Sequence, residues 1–444
     1  MTKIAIIGIN HAGTAAANTI LDNYKDNEVV LFDRNDNISY LGCGTALWIG
    51  RQIKGTDGLF YANEDTFTSK GATVHMQTEV TDVDFGGKKI TAKDKDGNPI
   101  TENYDKLILA TGSLPIMPKI PGMDLENVES VKLFQNGQEI DRILDKNEVK
   151  KVAVVGAGYI GVEIVEAVKR RGKEALLFEA EDTCLASYYD PDFTHVMDKN
   201  LKDNGVELHY GEMVKEIKGD SKVSGIKTDK GDYDVDMVIM SIGFYPNTPI
   251  GDGHIEKFKN GAYLINRNQQ TSDPDVYAIG DCATVYNNAT EDRAYIALAT
   301  NAVRSGVVAG HNVCGTPLET IGVQGSNGIN IFDYKMVSTG LNLKAAQNAG
   351  YNVKYTEFSD LQKPAFIDDD NAEVKLRIVY DADTRRVLGA QMASYFDMSM
   401  GIHMFSLAIE EKVTIDKLKL LDIFFLPHFN QPYNYITMAA LTAE

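Results

Sequence analysis

The chain has 444 residues, of which 63 are acidic and 44 basic, and its formal net charge at pH 7 is -19. This length exceeds the size at which one hydrophobic core keeps growing, so two or three domains are expected. The negative charge repels phosphate backbones and anionic membrane surfaces, which argues against nucleic acid and membranes as partners. The four cysteines are too widely separated for a disulfide framework or a metal site. Together with the absence of a leader and of a membrane-length apolar run, this predicts a cytoplasmic protein without a bound metal.

The first unit along the chain has the order strand, glycine turn, helix, strand. Its predicted parts are a strand over 3–7, a turn with Gly8 and Gly13, a helix over 14–21, and a strand over 29–32 that ends at Asp33. This order is typical of a dinucleotide-binding unit, in which the helix N-terminus attracts the phosphates. Asn10 occupies the position of the middle glycine in the dinucleotide-binding motif G-x-G-x-x-G. By itself, this motif is therefore weak evidence for nucleotide binding.

A lone cysteine follows this unit. A Cys-x4-Cys redox pair beginning at Cys43 would need a second cysteine at position 48, where the chain has Trp48. A thiol without a neighbouring partner forms no internal disulfide, and its first oxidised form is sulfenic acid, which indicates oxygen or peroxide chemistry. The apolar stretch 45–49 predicts a short helix whose dipole favours the Cys43 thiolate. We interpret Cys184, Cys282 and Cys314 as small packed residues.

The second unit repeats the order of the first and has the stronger motif. A proline-rich connector (Pro115, Pro118 and Pro121) precedes a strand over 151–155, the glycines Gly156, Gly158 and Gly161, a helix to about 171, and a strand over 175–178. Glu179 follows that strand and is placed to accept hydrogen bonds from a ribose 2′-hydroxyl. A 2′-phosphate would be repelled there, and residues 180–185 contain no Arg or Lys, so NADH is predicted over NADPH.

The rest of the chain completes the predicted fold. Strands are expected at 236–240 and within 271–281, the latter returning to the first unit, and beyond about residue 320 strands and amphipathic helices form an interface domain. The prediction is an α/β protein with two Rossmann-like dinucleotide-binding domains and a C-terminal α+β dimerisation domain. The predicted boundaries are 1–117 and 245–320 for the discontinuous FAD-binding domain, 118–244 for the NAD-binding domain, and 321–444 for the dimerisation domain. Two dinucleotide sites suggest one tightly bound flavin and one diffusing nicotinamide.

Over essentially its whole length the chain resembles the flavoprotein NADH oxidase and NADH peroxidase group of the pyridine nucleotide-disulfide oxidoreductases, and within that group the water-forming oxidases. The segments that carry this resemblance are Gly42-Cys43-Gly44, His11 in the first loop, Ala110-Thr111-Gly112-Ser113, Gly158-Tyr159-Ile160-Gly161-Val162-Glu163, Tyr277-Ala278-Ile279-Gly280-Asp281, and Leu426-Pro427-His428-Phe429-Asn430. The resemblance implies FAD as cofactor, NADH as co-substrate, O2 or H2O2 as the small-molecule substrate, and a homodimer or higher homo-oligomer.

The resemblance also implies site residues. For FAD these are Gly8, Asn10, His11, Ala12, Gly13, Asp33, Cys43, Val80, Ala110, Thr111, Gly112, Ser113, Lys132, Asp281, Ala297 and Ala299. For the nicotinamide dinucleotide they are Gly156, Gly158, Tyr159, Ile160, Gly161, Glu163, Glu179, Tyr188, Gly243 and Gly328.

The implied catalytic pair is Cys43 and His11. Cys43 would attack a peroxide O–O bond and become sulfenic acid, while His11 lies near it, supplies the proton for the leaving hydroxide and in its cationic form holds the thiolate. Tyr159 resembles a ring that covers the flavin until NADH displaces it. His428 is interpreted as interface packing.

Three alternatives to the oxidase stay open. An NADH peroxidase would share every residue named and start from H2O2. A coenzyme A disulfide reductase is less favoured, because its members typically continue with Leu-Pro where this chain has Thr45 and Ala46. A flavin-dependent redox sensor would bind NADH but turn it over slowly.

Overall fold

The N-terminal unit forms a five-stranded parallel sheet in the computed structural model, which describes residues 1–444. In spatial order its strands are Val276–Ala278, Lys106–Leu109, Thr2–Ile7, Asn27–Phe32 and Thr73–His75. The strand from the second half of the chain lies at one edge, where Val276 is opposite Leu107. The chain therefore leaves this sheet, builds other units, and returns to it.

Two helices, His11–Asn23 and Ala299–Val313, pack together on this sheet. The first begins three residues before the predicted start at 14, because Asn10 is still extended and serves as its N-cap. Small side chains such as Ala12, Ala16 and Ala302 share the hydrophobic core between the sheet and the two helices. His11 is consequently fixed at the first turn of a well-packed helix.

The second unit has the same architecture as the first. Its five parallel strands, in spatial order, are Val206–Tyr210, Glu174–Glu179, Lys151–Val155, Met237–Met240 and Val128–Ser130. Its helices are Phe134–Leu144, Tyr159–Arg170 and Pro191–Asp203. The predicted strand over 151–155 has the bounds that the structure gives it, and both sheets place their glycine turns at the carboxyl ends of their strands.

Two small antiparallel sheets and a two-stranded ribbon accompany the parallel sheets. The small sheets are formed by Glu79–Asp84, Lys89–Lys93 and Pro99–Asn103 and by Val214–Gly219, Val223–Thr228 and Asp232–Asp234. In the ribbon, Ser113–Pro115 pairs with Phe244–Pro246. The proline-rich connector thus begins in a paired strand, at the point where the chain passes from the first parallel sheet to the second. The exact domain boundaries stay predictions.

The C-terminal part contains an antiparallel sheet with helices on it. In spatial order its strands are Asn327–Ile331, Tyr334–Gly340, Val387–Ser394, Glu373–Asp381 and Val353–Leu361. Its helices are Leu343–Asn348, Ile402–Glu410, Ile415–Leu418 and Tyr435–Leu441. Ile329, Tyr334 and Met336 of this sheet belong to the same hydrophobic core as Val162 and Val165 of the second unit, so the two parts are packed together. None of the helices in the structure combines the length and the hydropathy needed to cross a membrane.

Candidate functional site

One large cavity of about 2180 Å³ is lined by both glycine turns, by Cys43 and by parts of the C-terminal sheet. Pockets for drug-sized ligands are about 300–1,000 Å³, so this cavity has room for more than one such molecule. Except for Gly13 and Gly161, every residue implied for the FAD or nicotinamide site lines this cavity, from Gly8 in the first turn to Gly328 in the C-terminal sheet. Residues separated by more than 300 positions in the chain therefore meet around one space.

Gly13 and Gly161 lie outside the cavity lining and hold the two turns in shape. A Cβ atom at Gly13 would be 1.9 Å from the carbonyl oxygen of Gly8, and one at Gly161 would be 1.8 Å from that of Gly156. No side chain fits at these distances. Their role is close packing of helix against turn, the function that the third glycine of the motif G-x-G-x-x-G serves.

An acidic residue stabilises each turn in the same way. Asp33 accepts a hydrogen bond of 2.7 Å from the backbone N–H of Ile9, and Glu179 accepts one of 2.7 Å from the backbone N–H of Ala157. The second oxygen of Glu179 accepts the N–H of Glu181 at 3.0 Å. Asp33 also accepts the backbone N–H and the side-chain amide of Asn35 at 2.8 and 2.9 Å. Because a carboxylate offers about four lone-pair positions, Asp33 keeps about one and Glu179 about two for ribose hydroxyls.

Cys43 lies in a 3-10 turn over Gly42–Gly44, and its thiol opens into the cavity. Trp48, five residues on, is 7% exposed and stacks on Phe134 with 5.5 Å between ring centroids. All four cysteines of the chain are free thiols. Cys43 thus has no sulfur partner, and the position of a potential second cysteine is filled by packed aromatic rings.

Support of the Cys43 thiolate by a helix dipole stays a prediction, and burial and a nearby carboxylate act against it. The helix Thr45–Ile49 forms as predicted but has only five residues. Removal from bulk water raises the pKa of the Cys43 thiol, and the negative charge of Glu163 raises it further. A backbone hydrogen bond and, after it, the positive charge of Lys132 lower that pKa in part.

Lys132 belongs to a polar cluster on the cavity wall. Its Nζ donates to Ser113 Oγ at 2.8 Å and lies 3.4 Å from Asp281 Oδ2, to which Ser113 also donates at 2.8 Å. The same Nζ is 4.5 Å from the centre of the Phe244 ring. Three residues implied for the FAD site are thereby joined into one network that crosses the ribbon between the two sheets.

His11 is the first residue of its helix and is hydrogen-bonded to a tyrosine that the sequence did not suggest. Its Nδ1 is 2.8 Å from the hydroxyl of Tyr61. Burial lowers the pKa of His11, with opposing effects from Asp281, which raises it, and Lys132, which lowers it. Burial therefore disfavours the cationic form of His11 that was expected to hold a thiolate.

Tyr159 is held in place by groups from both the second unit and the C-terminal sheet. Its hydroxyl is 2.8 Å from that of Tyr189 and donates to Asn327 Oδ1. Its ring meets the ring of Tyr188 edge-on at 4.5 Å. Whether Tyr159 also covers a flavin stays a prediction, but its ring is one wall of the cavity. His428 is exposed on the C-terminal segment.

Sequence reasoning missed Tyr61 and Asn327. Neither belongs to a local motif, because each reaches the site through pairing between distant segments. Asn327 is next to Gly328, which the resemblance implies for the nicotinamide site, so it could have been found from that neighbour. For Tyr61 the sequence offers no local signal.

Comparison with known protein families assigns nearly the whole chain. Residues 2–306 match the model of the pyridine nucleotide-disulphide oxidoreductase family, and residues 327–434 match the model of the dimerisation domain of that family. Among curated relatives, a protein of Streptococcus pyogenes named NADH oxidase is 58% identical, and one of the same name from Lactococcus lactis subsp. cremoris is 57% identical. In both comparisons the match covers 100% of each chain.

A solved structure agrees with this assignment. The water-forming NADH oxidase from Lactobacillus brevis, bound to NADH, is similar to this chain with a TM-score of 0.96 and 38% sequence identity, covering 99% of this chain and 98% of that one. The predicted fold class, with two Rossmann-like units and a C-terminal dimerisation domain, is thereby confirmed. The chain belongs to the pyridine nucleotide-disulphide oxidoreductase family.

Proposed function

We propose that the protein is an FAD-dependent NADH oxidase that reduces O2 to water through a thiolate and sulfenic acid cycle at Cys43. The observation that carries this proposal is a single thiol, without a sulfur partner, that opens into the cavity shared by two dinucleotide-type turns. The relatives named NADH oxidase and the similarity to a water-forming enzyme support the same activity.

The residues of the first unit fit FAD. Its turn presents the N-terminus of the helix His11–Asn23 to the cavity, Asp33 keeps about one free lone-pair position, and the Lys132, Ser113 and Asp281 network supplies polar groups of both signs. The residues that would hold FAD are those that the resemblance implies for the FAD site, except Gly13, which does not line the cavity. Among them, Val80, Ala297 and Ala299 would make apolar contacts. When bound, FAD accepts a hydride from NADH and passes the electrons on to oxygen.

The residues of the second unit fit NADH. Gly158 caps the helix Tyr159–Arg170 without a side chain, and a Cβ there would meet nothing within 4 Å, so the helix N-terminus is open to a pyrophosphate. Glu179 would bind the ribose hydroxyls, and Tyr188, Gly243 and Gly328 form the remaining wall. This arrangement supports NADH as the diffusing co-substrate.

Cys43 and His11 perform the bond-breaking step in this proposal. The Cys43 thiolate attacks one oxygen of a peroxide, the O–O bond breaks, and sulfenic acid and hydroxide form. His11 supplies the proton that converts hydroxide to water. A second NADH delivers the electron pair that returns the sulfenic acid to the thiol and releases the second water, so two NADH and one O2 give two waters.

The test is the stoichiometry of the purified holoenzyme. We expect two NADH oxidised per O2 and no effect of catalase on oxygen uptake, whereas Cys43→Ser releases H2O2 and approaches one NADH per O2. Cys314→Ser, which removes a partly exposed thiol outside the cavity lining, is the matched control and keeps the wild-type ratio. A wild type that releases H2O2, or that consumes NADH only when peroxide is added, contradicts the oxidase; the second result assigns an NADH peroxidase.

We also propose that the enzyme is a homodimer in the cytoplasm. The family's dimerisation domain matches 327–434, and that region exposes large apolar side chains, among them Leu420, Phe424 and Tyr433, which are 89%, 67% and 73% exposed. Apolar patches of this kind are typical of protein interfaces. A mass measurement in solution that finds only monomers contradicts the dimer.

A further inference from the structure

The hydrogen bond between Tyr61 and His11 places the two nitrogens of the imidazole ring in different surroundings. His11 lines the cavity, while Tyr61 lies outside its lining and has a side chain that is 49% exposed on the protein surface. Nδ1 is bonded to the Tyr61 hydroxyl at 2.8 Å, and Nε2 has no protein partner. The nitrogen left for a substrate in the cavity is therefore Nε2.

Hydrogen bonds between residues 39–41 and 59–62 fix this geometry and also position Cys43, which follows two residues later. Ser39 is fully buried, has a positive φ of 59°, and accepts the N–H groups of Tyr61 and Ala62 at 2.9 and 2.7 Å. Its own N–H donates to the carbonyl of Ile9, in the turn that carries His11, at 3.3 Å. Two residues on, the N–H of Leu41 donates to the carbonyl of Leu59 at 2.8 Å. A strained non-glycine conformation that is held by three segments is a common feature of functional sites.

We propose that Tyr61 is a positioning residue and the outer member of a proton path from solvent to the oxygen that Cys43 attacks. This inference rests on the proposed oxidase function. Tyr61 donates to Nδ1 of neutral His11 and thereby holds the tautomer with the proton on Nε2.

The proton step balances as follows. When the Cys43 thiolate takes one oxygen of peroxide, the O–O bond breaks and hydroxide leaves. His11 gives its Nε2 proton to that hydroxide, forming water, and takes the Tyr61 proton on Nδ1. Burial raises the pKa of Tyr61 above that of a free tyrosine, but hydroxide is a much stronger base than tyrosinate and still takes the proton. The exposed tyrosinate then regains a proton from solvent, and proton exchange with water returns the His11 ring to the tautomer protonated on Nε2, so no oxidant or reductant is needed.

The obvious alternative role for Tyr61 is packing only. The ring of Tyr61 lies parallel to that of His11, with 5.8 Å between centroids, so the ring by itself makes contacts that Phe would keep. Tyr61→Phe therefore separates the hydroxyl from the ring. Tyr24→Phe is a matched control, because Tyr24 forms the same kind of bond, 2.7 Å from hydroxyl to Nδ1 of His311, away from the cavity.

The first measurement is H2O2 release during NADH oxidation by the holoenzyme, from pH 6 to pH 9. We expect Tyr61→Phe to release measurable H2O2 at pH 8, where wild type releases none, because loss of a positioned proton donor slows O–O cleavage. The release should fall as the pH falls, because protonation of His11 replaces the lost donor. The charged groups that act on His11, Asp281 and Lys132, are unchanged in this variant. Tyr24→Phe should behave as wild type.

The second measurement needs no turnover. Selective ¹⁵N-histidine labelling and NMR report the tautomer of His11, assigned by loss of its signals in His11→Gln. We expect a neutral ring protonated on Nε2 in wild type and a mixture of tautomers in Tyr61→Phe. A wild-type ring protonated on Nδ1, or peroxide release from Tyr61→Phe that is low or does not vary with pH, overturns the inference. Peroxide release by wild type itself overturns the oxidase proposal instead, so the two failures are distinguishable.

Discussion

Arg377 of the C-terminal sheet and Asp190, at the N-cap of the helix Pro191–Asp203, form an ion pair of 3.2 Å in which the side chains are only 2% and 3% exposed. Gln391 completes the contact, because its Nε2 donates to Asp190 at 2.7 Å and its Oε1 accepts the N–H of Asp190 at 2.8 Å. Asp190 directly follows Tyr188 and Tyr189, which pack against Tyr159 in the cavity wall. The pair therefore attaches the nicotinamide side of the cavity to the C-terminal sheet.

Arg377→Met tests this attachment. Removing one partner of a buried ion pair leaves an uncompensated charge and costs roughly 3–5 kcal/mol, so the thermal midpoint should fall clearly and the KM for NADH should rise more than kcat changes. Arg385→Met is the control, because its ion pair with Asp416 has side chains 25% and 47% exposed. Such an exposed pair contributes little to stability. Equal losses of stability in the two variants would refute a special role of Arg377.

Local patterns were enough to predict much of the fold. The strand over 151–155 and the helix over 45–49 have the bounds that the residue pattern indicates, and the two strand–turn–helix units predict the two parallel sheets. In these segments the secondary structure follows from the hydrophobic periodicity and from the glycine positions. Both are patterns of residues close together in the chain, so they can be read from the sequence alone.

The environment of each site residue was harder to predict. Tyr61 reaches His11 through pairing of residues 39–41 with 59–62, and Asn327 reaches Tyr159 from a separate domain. The raised pKa of Cys43 depends on Glu163, which is 120 positions away in the chain. Charge and burial at a site are sums over such distant groups, and a local dipole argument leaves them out.

Glu163→Gln should make Cys43 more reactive above pH 7. Burial raises the pKa of Glu163 to about 7, so its carboxylate is charged above that pH and neutral below it. A charged Glu163 disfavours the thiolate, and its removal should lower the pKa of Cys43. We expect iodoacetamide to alkylate Cys43 roughly threefold to tenfold faster than in wild type at pH 8, a change of about half to one pKa unit.

At pH 6 the same two proteins should react at equal rates, because Glu163 is then protonated in wild type. Cys43→Ser gives the background from other thiols, and Glu181→Gln, which removes an acid of the cavity wall that does not act on Cys43, should match wild type. An equal rate for Glu163→Gln and wild type at pH 8 would show that this carboxylate leaves the thiol unaffected.

The choice between NADH and NADPH should depend on charge at the end of the strand Glu174–Glu179. Glu179 faces the cavity with Glu181 near it, and Ala180 between them is exposed. A 2′-phosphate would meet negative charge here and no adjacent Arg or Lys. Glu179→Gln removes the charge and keeps an oxygen that accepts the N–H of Ala157, so the glycine turn should keep its shape, while the bond from the N–H of Glu181 is lost.

Combined with Ala180→Arg, this change provides a guanidinium that binds phosphate in a bidentate manner. We expect the ratio of kcat/KM for NADH to that for NADPH to fall by at least about tenfold, or roughly 1.4 kcal/mol, chiefly through KM. Glu179→Gln with Ala180→Leu adds similar bulk without charge, and should weaken NADH binding without improving NADPH use. An unchanged ratio in the arginine variant would mean that the ribose of the nicotinamide dinucleotide binds elsewhere in the cavity.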